Sequence, residues 1–241
     1  MYKTLMFKKY QNTIIKPIAF EGIGLHSGKI SKVKLLPGVE NQGVIFKRVD
    51  IKQNNLIEAN FKNVSSSKLC TTLENDSGLK VSTIEHLLAA FYMAEVDNVI
   101  VEINNEEVPI MDGSSKNFIE LINNTGIKKQ TEKRKYLKII DNCSLKDGEK
   151  SISIEPTEDQ SLQVNFKLDY DNKVIGKQEN QVNFSNKDLT DIYSSRTFCL
   201  LKDIEKIKKS GLAKGGSLDN AIVVDEDKIV NKNGLRNKKE F

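Results

Sequence analysis

The stretch that most constrains the fold is residues 84–91, where apolar side chains recur with the period of a helix. The repeating positions are Ile84, Leu87, Leu88 and Phe91, spaced i, i+3, i+4 and i+7. This spacing predicts a helix with one buried face. Ser82 and Glu85 fit a capping box, with the hydroxyl at the N-cap and the carboxylate at N3, so the helix is expected to open at Ser82.

Short apolar segments on both sides of this helix predict strands. They fall at 13–20, 32–35, 43–49, 56–60, 69–74 and 98–103, and a second helix is predicted at 116–124. The second half repeats the order, with strands at 136–140, 151–154, 162–168, 195–199 and 220–224 and helical segments at 187–193 and 203–209. Both halves run from strands towards helices, which predicts an α+β fold.

A charged stretch without any apolar residue, 128–135, separates the two halves. Composition alone places a domain boundary there, which gives a first domain at 1–129 and a second at 130–241. A chain of 241 residues is long enough for one large domain or for two of about 100–150 residues each.

Charge and cysteine usage exclude several classes of protein. The net charge is only +4 and the basic residues are scattered, so we expect no nucleic-acid partner. The three cysteines form no C-x-x-C motif, which argues against a zinc ribbon or a redox motif and favours reduced thiols in a cytoplasmic protein. The N-terminal residues lack the apolar core of a signal peptide, and the longest apolar run, 87–94, is too short to cross a bilayer.

The dipeptide Glu85-His86 is the best candidate for chemistry, because the chain has only two histidines. A helix N-terminus favours ionised Glu85 and disfavours protonated His86, and these are the states that a metal site requires. Adjacent helix residues point about 100° apart, so His86 could bind a metal while Glu85 accepts a proton from water. The same residues also fit a capping acid and an ordinary half-buried helix residue, and the pattern alone leaves both interpretations open.

The segment 21–28 is rich in glycine, which permits an unusual backbone. It fits either a tight turn or a loop that approaches a ligand. A dinucleotide fingerprint is excluded, because a strand pattern rather than a helix follows at 32–35.

Several segments, taken together, resemble the zinc-dependent UDP-3-O-acyl-N-acetylglucosamine deacetylases, the amidases of the committed step of lipid A synthesis. The segments are Gly-Ile-Gly-Leu-His-Ser-Gly at 22–28, Ser-Thr-Ile-Glu-His-Leu at 82–87, Val-Pro-Ile-Met-Asp-Gly-Ser at 108–114, Ser-Arg-Thr-Phe at 195–198, Gly-Leu at 211–212 with Gly-Gly-Ser at 215–217, Asp-Asn-Ala-Ile-Val-Val at 219–224 and Gly-Leu-Arg at 234–236. Each is modest alone, but they occur in the family's order along nearly the whole chain.

The resemblance implies two two-layer α/β sandwich domains with the active site between them, and Zn²⁺ as cofactor. It implies that His86 is a zinc ligand and that Glu85 is the general base for a water that attacks the acetamide carbonyl on C2 of the sugar. Thr197, by its place in the Arg-Thr-Phe motif, would help to hold the oxyanion. Leu25, Cys70 and Phe198 would lie near the UDP-3-O-acyl-N-acetylglucosamine substrate, and a βαβ insert near 199–224 would wall an acyl-chain passage.

The sequence departs from the family after the Gly-Leu-Arg segment. The family has a second zinc-binding helix there, with a His-Lys-x-x-x-Asp-like motif, and a further histidine as general acid, whereas no histidine follows His86 here. Catalytic zinc usually has three protein ligands. We therefore expect a C-terminally truncated second domain and a chain that is monomeric, poorly soluble and inactive or nearly so as a deacetylase. The competing hypothesis is a noncatalytic protein that binds a UDP-sugar or an acyl chain.

Overall fold

The structure, a computed structural model, describes residues 8–158, 161–186 and 188–241. One larger sheet, several small sheets and a few helices confirm the predicted α+β class. Two sequence predictions reach outside these ranges, namely the absence of a signal peptide at the N-terminus and the start of a helical segment at 187. None of the helices in the described ranges is both long and apolar enough to span a membrane.

The elements follow in chain order. The strands are β1 (Tyr10–Ile14), β2 (Ile18–Ile23), β3 (Ile30–Pro37), β4 (Val44–Arg48), β5 (Leu56–Glu58), β6 (Val64–Ser66), β7 (Thr72–Glu74), β8 (Lys80–Val81), β9 (Val99–Ile103), β10 (Ile127–Lys133), β11 (Cys143–Asp147), β12 (Lys150–Ile154), β13 (Gln163–Asp169), β14 (Lys177–Asn183), β15 (Phe198–Leu200) and β16 (Ile222–Val224). The α-helices are α1 (Glu85–Met93), α2 (Lys116–Thr125), α3 (Thr190–Tyr193) and α4 (Leu201–Lys209).

The largest sheet has the strand order β2-β3-β9-β4-β5, and its pairs are antiparallel except for β4 with β9. The burial pattern of strand β3 shows how the sequence specifies this sheet. Ser31, Val33 and Leu35 are buried, whereas Lys32 and Lys34 between them are exposed. Side chains alternate across a strand, so this pattern directs one face of the sheet towards the core.

Helices α1 and α2 pack against each other and share one core with the sheet. The helical members of this core are Leu87, Ala90 and Phe91 from α1 and Phe118, Ile119 and Ile122 from α2. The ring of Phe20 in β2 lies 5.4 Å from that of Phe118, centroid to centroid, in a tilted arrangement. The buried face predicted for the helix at 84–91 is therefore confirmed.

The predicted capping box is wrong. Helix α1 begins at Glu85, and Ile84 at its N-cap makes no side-chain capping bond. Thr83 has a φ of 55°, in the left-handed region, so the helix cannot extend back through it to Ser82. The Oγ of Ser82 donates instead to the carbonyl of Glu106 at 3.1 Å. Contacts with the distant 106–108 segment thus override the local capping preference.

Two predicted strands also differ from the structure. The segment at 13–20 is divided between β1 and β2, with Pro17 in the gap, because proline has no N–H for the ladder. The strand predicted at 136–140 is wrong, since this segment lies outside any strand and leaves Leu137 and Ile140 exposed. The other predicted elements are present, with ends that differ by a few residues.

Most of the charged stretch at 128–135 is part of strand β10, which pairs antiparallel with β1. Polar contacts hold it in place. Asn98 Nδ2 donates to Gln130 Oε1 at 2.8 Å, and Gln130 Nε2 donates to the carbonyl of Gly38 at 3.0 Å. An apolar pattern is therefore not needed for this strand. The domain division at 129/130 stays a prediction.

The second half consists of small sheets. Strands β11 and β12 form one antiparallel hairpin and β13 and β14 another, while β15 and β16 pair in parallel with α4 between them. This last arrangement is the βαβ unit predicted near 199–224. Its core is limited to a small cluster around Ile175, Ile222 and Val224.

The hairpin of β11 and β12 exposes apolar side chains. Leu145 and Ile152 are cross-strand partners, and each is 69% exposed. Leu137 and Phe166 nearby in sequence are also exposed. Exposed apolar side chains that lie close together favour association in water.

In contrast to the monomer predicted from the sequence, the exposed pair leads us to expect self-association of the purified chain at micromolar concentration. We expect the double variant Leu145→Lys/Ile152→Glu to reduce this association. The variant removes an apolar cross-strand pair and replaces it with an oppositely charged one, which the hairpin tolerates. Light scattering and size-exclusion chromatography measure the change.

The matched control is Ser144→Lys/Ser153→Glu, a cross-strand pair of the same hairpin that gains the same charges without losing apolar surface. A monodisperse parent chain with a single sharp thermal transition would show that the exposed surface has no such effect.

Candidate active site

Glu85 and His86 are the first two residues of α1, and both side chains are half-buried. The backbone N–H of Thr71 donates to Glu85 Oε2 at 3.0 Å, which holds the carboxylate against the segment before β7. Ser115 Oγ donates to the carbonyl of His86 at 2.9 Å and ties α1 to the start of α2. The acid and the imidazole therefore occupy defined positions at the helix start.

The environment of His86 favours its neutral form. Burial lowers the pKa of His86, and the negative charges of Glu85 and Asp112 raise it only in part, so the net pKa lies below its ordinary value. A neutral imidazole has a lone pair available for a metal ion. This is the protonation state that the helix position predicts from sequence.

The ligand set for zinc is not complete among residues 8–158, 161–186 and 188–241. No three His, Cys, Asp or Glu side chains in these ranges lie close enough together to hold a metal ion. His86 fits as one ligand, but catalytic zinc usually has three from the protein. The described residues can thus supply part of a zinc site and not the whole.

Asp112 connects this site to the C-terminal segment. It accepts hydrogen bonds from the backbone N–H and the Oγ of Ser114 at 3.1 and 2.8 Å, which closes a tight turn. Arg236 Nη2 donates to Asp112 Oδ2 at 2.9 Å, and Arg236 Nη1 donates to the carbonyl of Ser194 at 2.8 Å. Arg236 therefore links the carboxylate beside His86 to the 194–198 segment.

Gly113 brings the two halves of the chain into backbone contact. Its φ is +85°, and a Cβ at this position would overlap the carbonyl oxygen of Asn220. The carbonyl of Gly113 accepts a hydrogen bond from the N–H of Thr197 at 2.8 Å, and the carbonyl of Thr197 accepts one from Ile222 at 2.9 Å. Thr197 is thereby fixed between the 112–114 turn and β16.

A buried ion pair with Glu240 fixes the side chain of Arg196, the residue before Thr197. Arg196 Nε donates to Glu240 Oε1 at 2.6 Å, and Arg196 Nη2 donates to Glu240 Oε2 at 3.1 Å. The side chains are 8% and 0% exposed, respectively. Burial raises the pKa of Glu240, but the bonds from Arg196 and Arg236 outweigh this effect and leave the pKa below its ordinary value.

Glu107, on the segment between β9 and α2, holds the glycine-rich loop. Its buried carboxylate accepts the backbone N–H groups of His26 and Ser27 at 2.8 and 2.7 Å and the Oγ1 of Thr83 at 2.9 Å. A Cβ on Gly24 would overlap this carboxylate. The glycine-rich loop thus surrounds the buried Glu107 carboxylate, and the absence of a side chain at Gly24 leaves space for it.

The structure connects some of the predicted substrate neighbours to Glu85 but not all of them. Cys70 precedes Thr71, the residue that binds Glu85, and it interacts with His26, which follows Leu25 in the chain. Phe198 lies in a separate aromatic group with Tyr170 and Phe241, at centroid distances of 5.6 and 5.2 Å. A pocket near that group, and another beside Asn142, are lined by none of the predicted site residues.

The sequence is similar to a characterised group of proteins along nearly its full length. The profile of the LpxC family, described as UDP-3-O-acyl N-acetylglycosamine deacetylase, matches residues 11–241. The chain belongs to this family. Proteins named UDP-3-O-acyl-N-acetylglucosamine deacetylase from Shewanella frigidimarina and Shewanella oneidensis are each 38% identical over 235 residues, and one from Shewanella denitrificans is 37% identical. Each alignment covers 96% of this chain and 76% of the relative.

The sequence of this LpxC-family chain places Asp112 and Arg236 in family motifs but predicts no role for them, and it does not single out Glu107. The roles of these residues depend on partners far away in the chain, such as Glu107 with His26 and Arg236 with Asp112. Besides these motifs, a local signal was the position of Asp112 directly before Gly113 in a turn-rich segment.

We expect Glu240→Gln to lower the free energy of unfolding by about 3–5 kcal/mol at pH 7, because it leaves the buried Arg196 guanidinium without its ionic partner. Urea denaturation measures the change. The matched control is Glu205→Gln, whose 4.0 Å pair with Lys209 is almost fully exposed and should cost about 0.5 kcal/mol or less.

The pH dependence of this effect has a definite sign. Because folding lowers the pKa of Glu240, its stabilising effect is present above the unfolded carboxyl value of about 4.3 and is lost as the pH falls through the folded value. The parent chain and Glu240→Gln should therefore converge in stability at acid pH. A difference that persists undiminished at pH 2 would contradict the assignment.

Proposed function

We propose that this chain provides the catalytic carboxylate and the first metal ligand of a deacetylase that acts on UDP-3-O-acyl-N-acetylglucosamine, in the committed step of lipid A synthesis. One observation supports the proposal above the others. The half-buried Glu85-His86 pair at the start of α1 is held beside Asp112, in a chain that belongs to the LpxC family over residues 11–241. The names of the relatives state the substrate and the reaction.

Glu85 acts as the general base in this proposal. The N–H of Thr71 occupies Oε2, so Oε1 is the oxygen that takes a proton from the attacking water. Water adds to the acetamide carbonyl, the departing nitrogen takes up a proton as the C–N bond breaks, and acetate and the 2-amino sugar are released. A carboxylate fixed by a backbone donor keeps its orientation during proton transfer, and general bases typically contribute about 10²–10⁴-fold to the rate.

Zinc, when bound, supplies Lewis acidity that lowers the pKa of water and polarises the amide carbonyl. His86 would be one of its ligands, because burial holds the imidazole neutral. The described residues form no three-ligand cluster for the ion. We therefore expect the 241-residue chain alone to show little or no zinc-dependent turnover.

Thr197 would hold the developing oxyanion, and its backbone contacts suit that task. Its N–H and its carbonyl form hydrogen bonds with Gly113 and Ile222, so the backbone that carries the side chain is fixed. A preorganised donor stabilises transition-state charge without reorganising during the reaction. Leu25, Cys70 and Phe198 would contact the substrate, and the unit formed by β15, α4 and β16 would line the path of the acyl chain.

The incomplete ligand set favours one alternative, a protein that binds the UDP-sugar or its acyl chain without hydrolysing it. Calorimetric titration with UDP-N-acetylglucosamine and with the acylated substrate, each with and without zinc, separates the two functions. Zinc-independent binding without acetate release supports the binding protein.

The deacetylase proposal is tested on two proteins. The first is this chain, and the second is a chimera that joins this chain to the part of the Shewanella frigidimarina relative outside the 235 aligned residues. We expect acetate release from the chimera only, dependent on zinc, and a loss of about 10²-fold or more in kcat for its Glu85→Gln variant.

Glu106→Gln is the matched control for Glu85→Gln, because Glu106 is an exposed acid that pairs with Lys29 at 3.4 Å. It should leave kcat unchanged. Equal kcat for Glu85→Gln and the parent would remove Glu85 from the mechanism, and measurable turnover by the 241-residue chain alone would refute its expected inactivity.

A further inference from the structure

His26 has an imidazole nitrogen that the hydrolytic site does not use. The residue is 8% exposed, and its Nδ1 accepts the N–H of Ala213 at 3.4 Å. Its Nε2 is buried and makes no hydrogen bond of normal geometry with any described residue. A buried polar atom without a partner is costly, so it calls for an explanation in terms of a neighbouring group.

The neighbouring group is the thiol of Cys70, which interacts with the His26 imidazole. Other donors face the same sulfur. Thr72 Oγ1 lies 3.8 Å from Sγ, and the backbone N–H of Thr83 also interacts with it. Thr83 is itself held by its bond to Glu107, so the direction of its N–H is fixed. An imidazole, a hydroxyl and an amide therefore surround one sulfur atom.

The backbone conformation that places Cys70 among these three donors is strained. Leu69, the preceding residue, has a φ of 64°, in the left-handed region that a large side chain rarely adopts. Strained backbone of this kind persists only where the surrounding structure fixes it, and it occurs often at functional sites. The strain turns the 69–72 segment so that Cys70 faces His26 while Thr71 binds Glu85.

The three donors favour the thiolate. Burial raises the pKa of Cys70, but the contacts with His26, Thr72 and Thr83 outweigh burial and leave the pKa below its ordinary value. The pKa of His26 is raised by Cys70, against the lowering effect of burial, with a further increase from the charge of Glu107. The carboxylates of Glu107 and Glu85 are the other charges nearby, and both oppose a second negative charge. In contrast, burial raises the pKa of Cys199.

We propose that Cys70 and His26 form a thiol–imidazole pair that makes Cys70 a site of covalent modification by peroxides and other soft electrophiles. With hydrogen peroxide, Sγ attacks one oxygen, the S–O bond forms, the O–O bond breaks, and the departing hydroxide takes a proton and leaves as water. The sulfur is oxidised by two electrons to a sulfenic acid, and the peroxide is reduced. The thiolate is the reactive form, so donors that stabilise it promote the reaction.

This modification has a route to the hydrolytic site. Thr71 follows Cys70 directly, and its N–H is the group that holds Glu85 Oε2 at 3.0 Å. An oxygen on Sγ enlarges a half-buried side chain that contacts His26, Thr72 and Thr83. We expect the added atom to displace the 69–72 segment and to weaken the bond from Thr71 to Glu85.

The test is alkylation of the full 241-residue chain by iodoacetamide between pH 5 and 10, with mass spectrometry to resolve each cysteine. The pH at half-maximal rate reports the thiol pKa independently of how accessible the sulfur is. We expect the midpoint of Cys70 to lie below that of the exposed Cys143, which serves as the internal control. After treatment with hydrogen peroxide, dimedone should trap a sulfenic acid at Cys70.

His26→Gln should raise the Cys70 midpoint by about one unit, because it removes the imidazole and its positive form. Thr72→Val removes only the hydroxyl donor and should raise the Cys70 midpoint by less. This variant provides a second test if the substitution of buried His26 prevents folding. Slow alkylation of Cys199 marks a folded sample. A Cys70 midpoint at or above that of Cys143, or one that neither variant shifts, would overturn the proposal, as would a dimedone adduct on Cys143 with none on Cys70.

Discussion

The buried carboxylate of Glu107 is the interaction on which the arrangement of the site depends. It accepts hydrogen bonds from two backbone N–H groups of the glycine-rich loop and from the hydroxyl of Thr83, at distances between 2.7 and 2.9 Å. A buried charge is tolerated only when its oxygens are fully hydrogen-bonded, and here the donors come from two separate segments. The loop, the entry to α1 and the 107–115 segment are consequently positioned relative to one another by a single side chain.

The parts of the fold that could be predicted are those in which burial follows a period. The alternation along β3 and the apolar stripe of α1 each depend on a few neighbouring residues. The buried face of each element can therefore be predicted from its own sequence. Strand β10 could not be found in this way. Ile127 is its only apolar residue, and its pairing is stabilised by Asn98 and Gln130 rather than by an alternating apolar face.

The start of α1 shows why a strong local signal can fail. Ser82 and Glu85 have the spacing of a capping box, but Thr83 between them is left-handed and its hydroxyl is bound to Glu107. Tertiary contacts therefore decide the conformation of the helix entry, and Glu85 is released from capping to meet Thr71. Glu85 stays a candidate catalytic acid, whereas the capping role predicted for it is wrong. The contacts of Glu107 and Arg236 could not be foreseen, because they join residues that are distant in the chain.

The close approach of Gly113 to Asn220 has a mechanical consequence. At that point two main chains meet without an intervening side chain, so there is no rotamer that could absorb a relative displacement. Asn220 lies just before β16, and Gly113 lies just after Asp112, whose charge acts on His86. A shift of β16 would therefore be transmitted as a rigid movement to the turn beside the imidazole. The contact links the position of β16 to the electrostatic environment of His86.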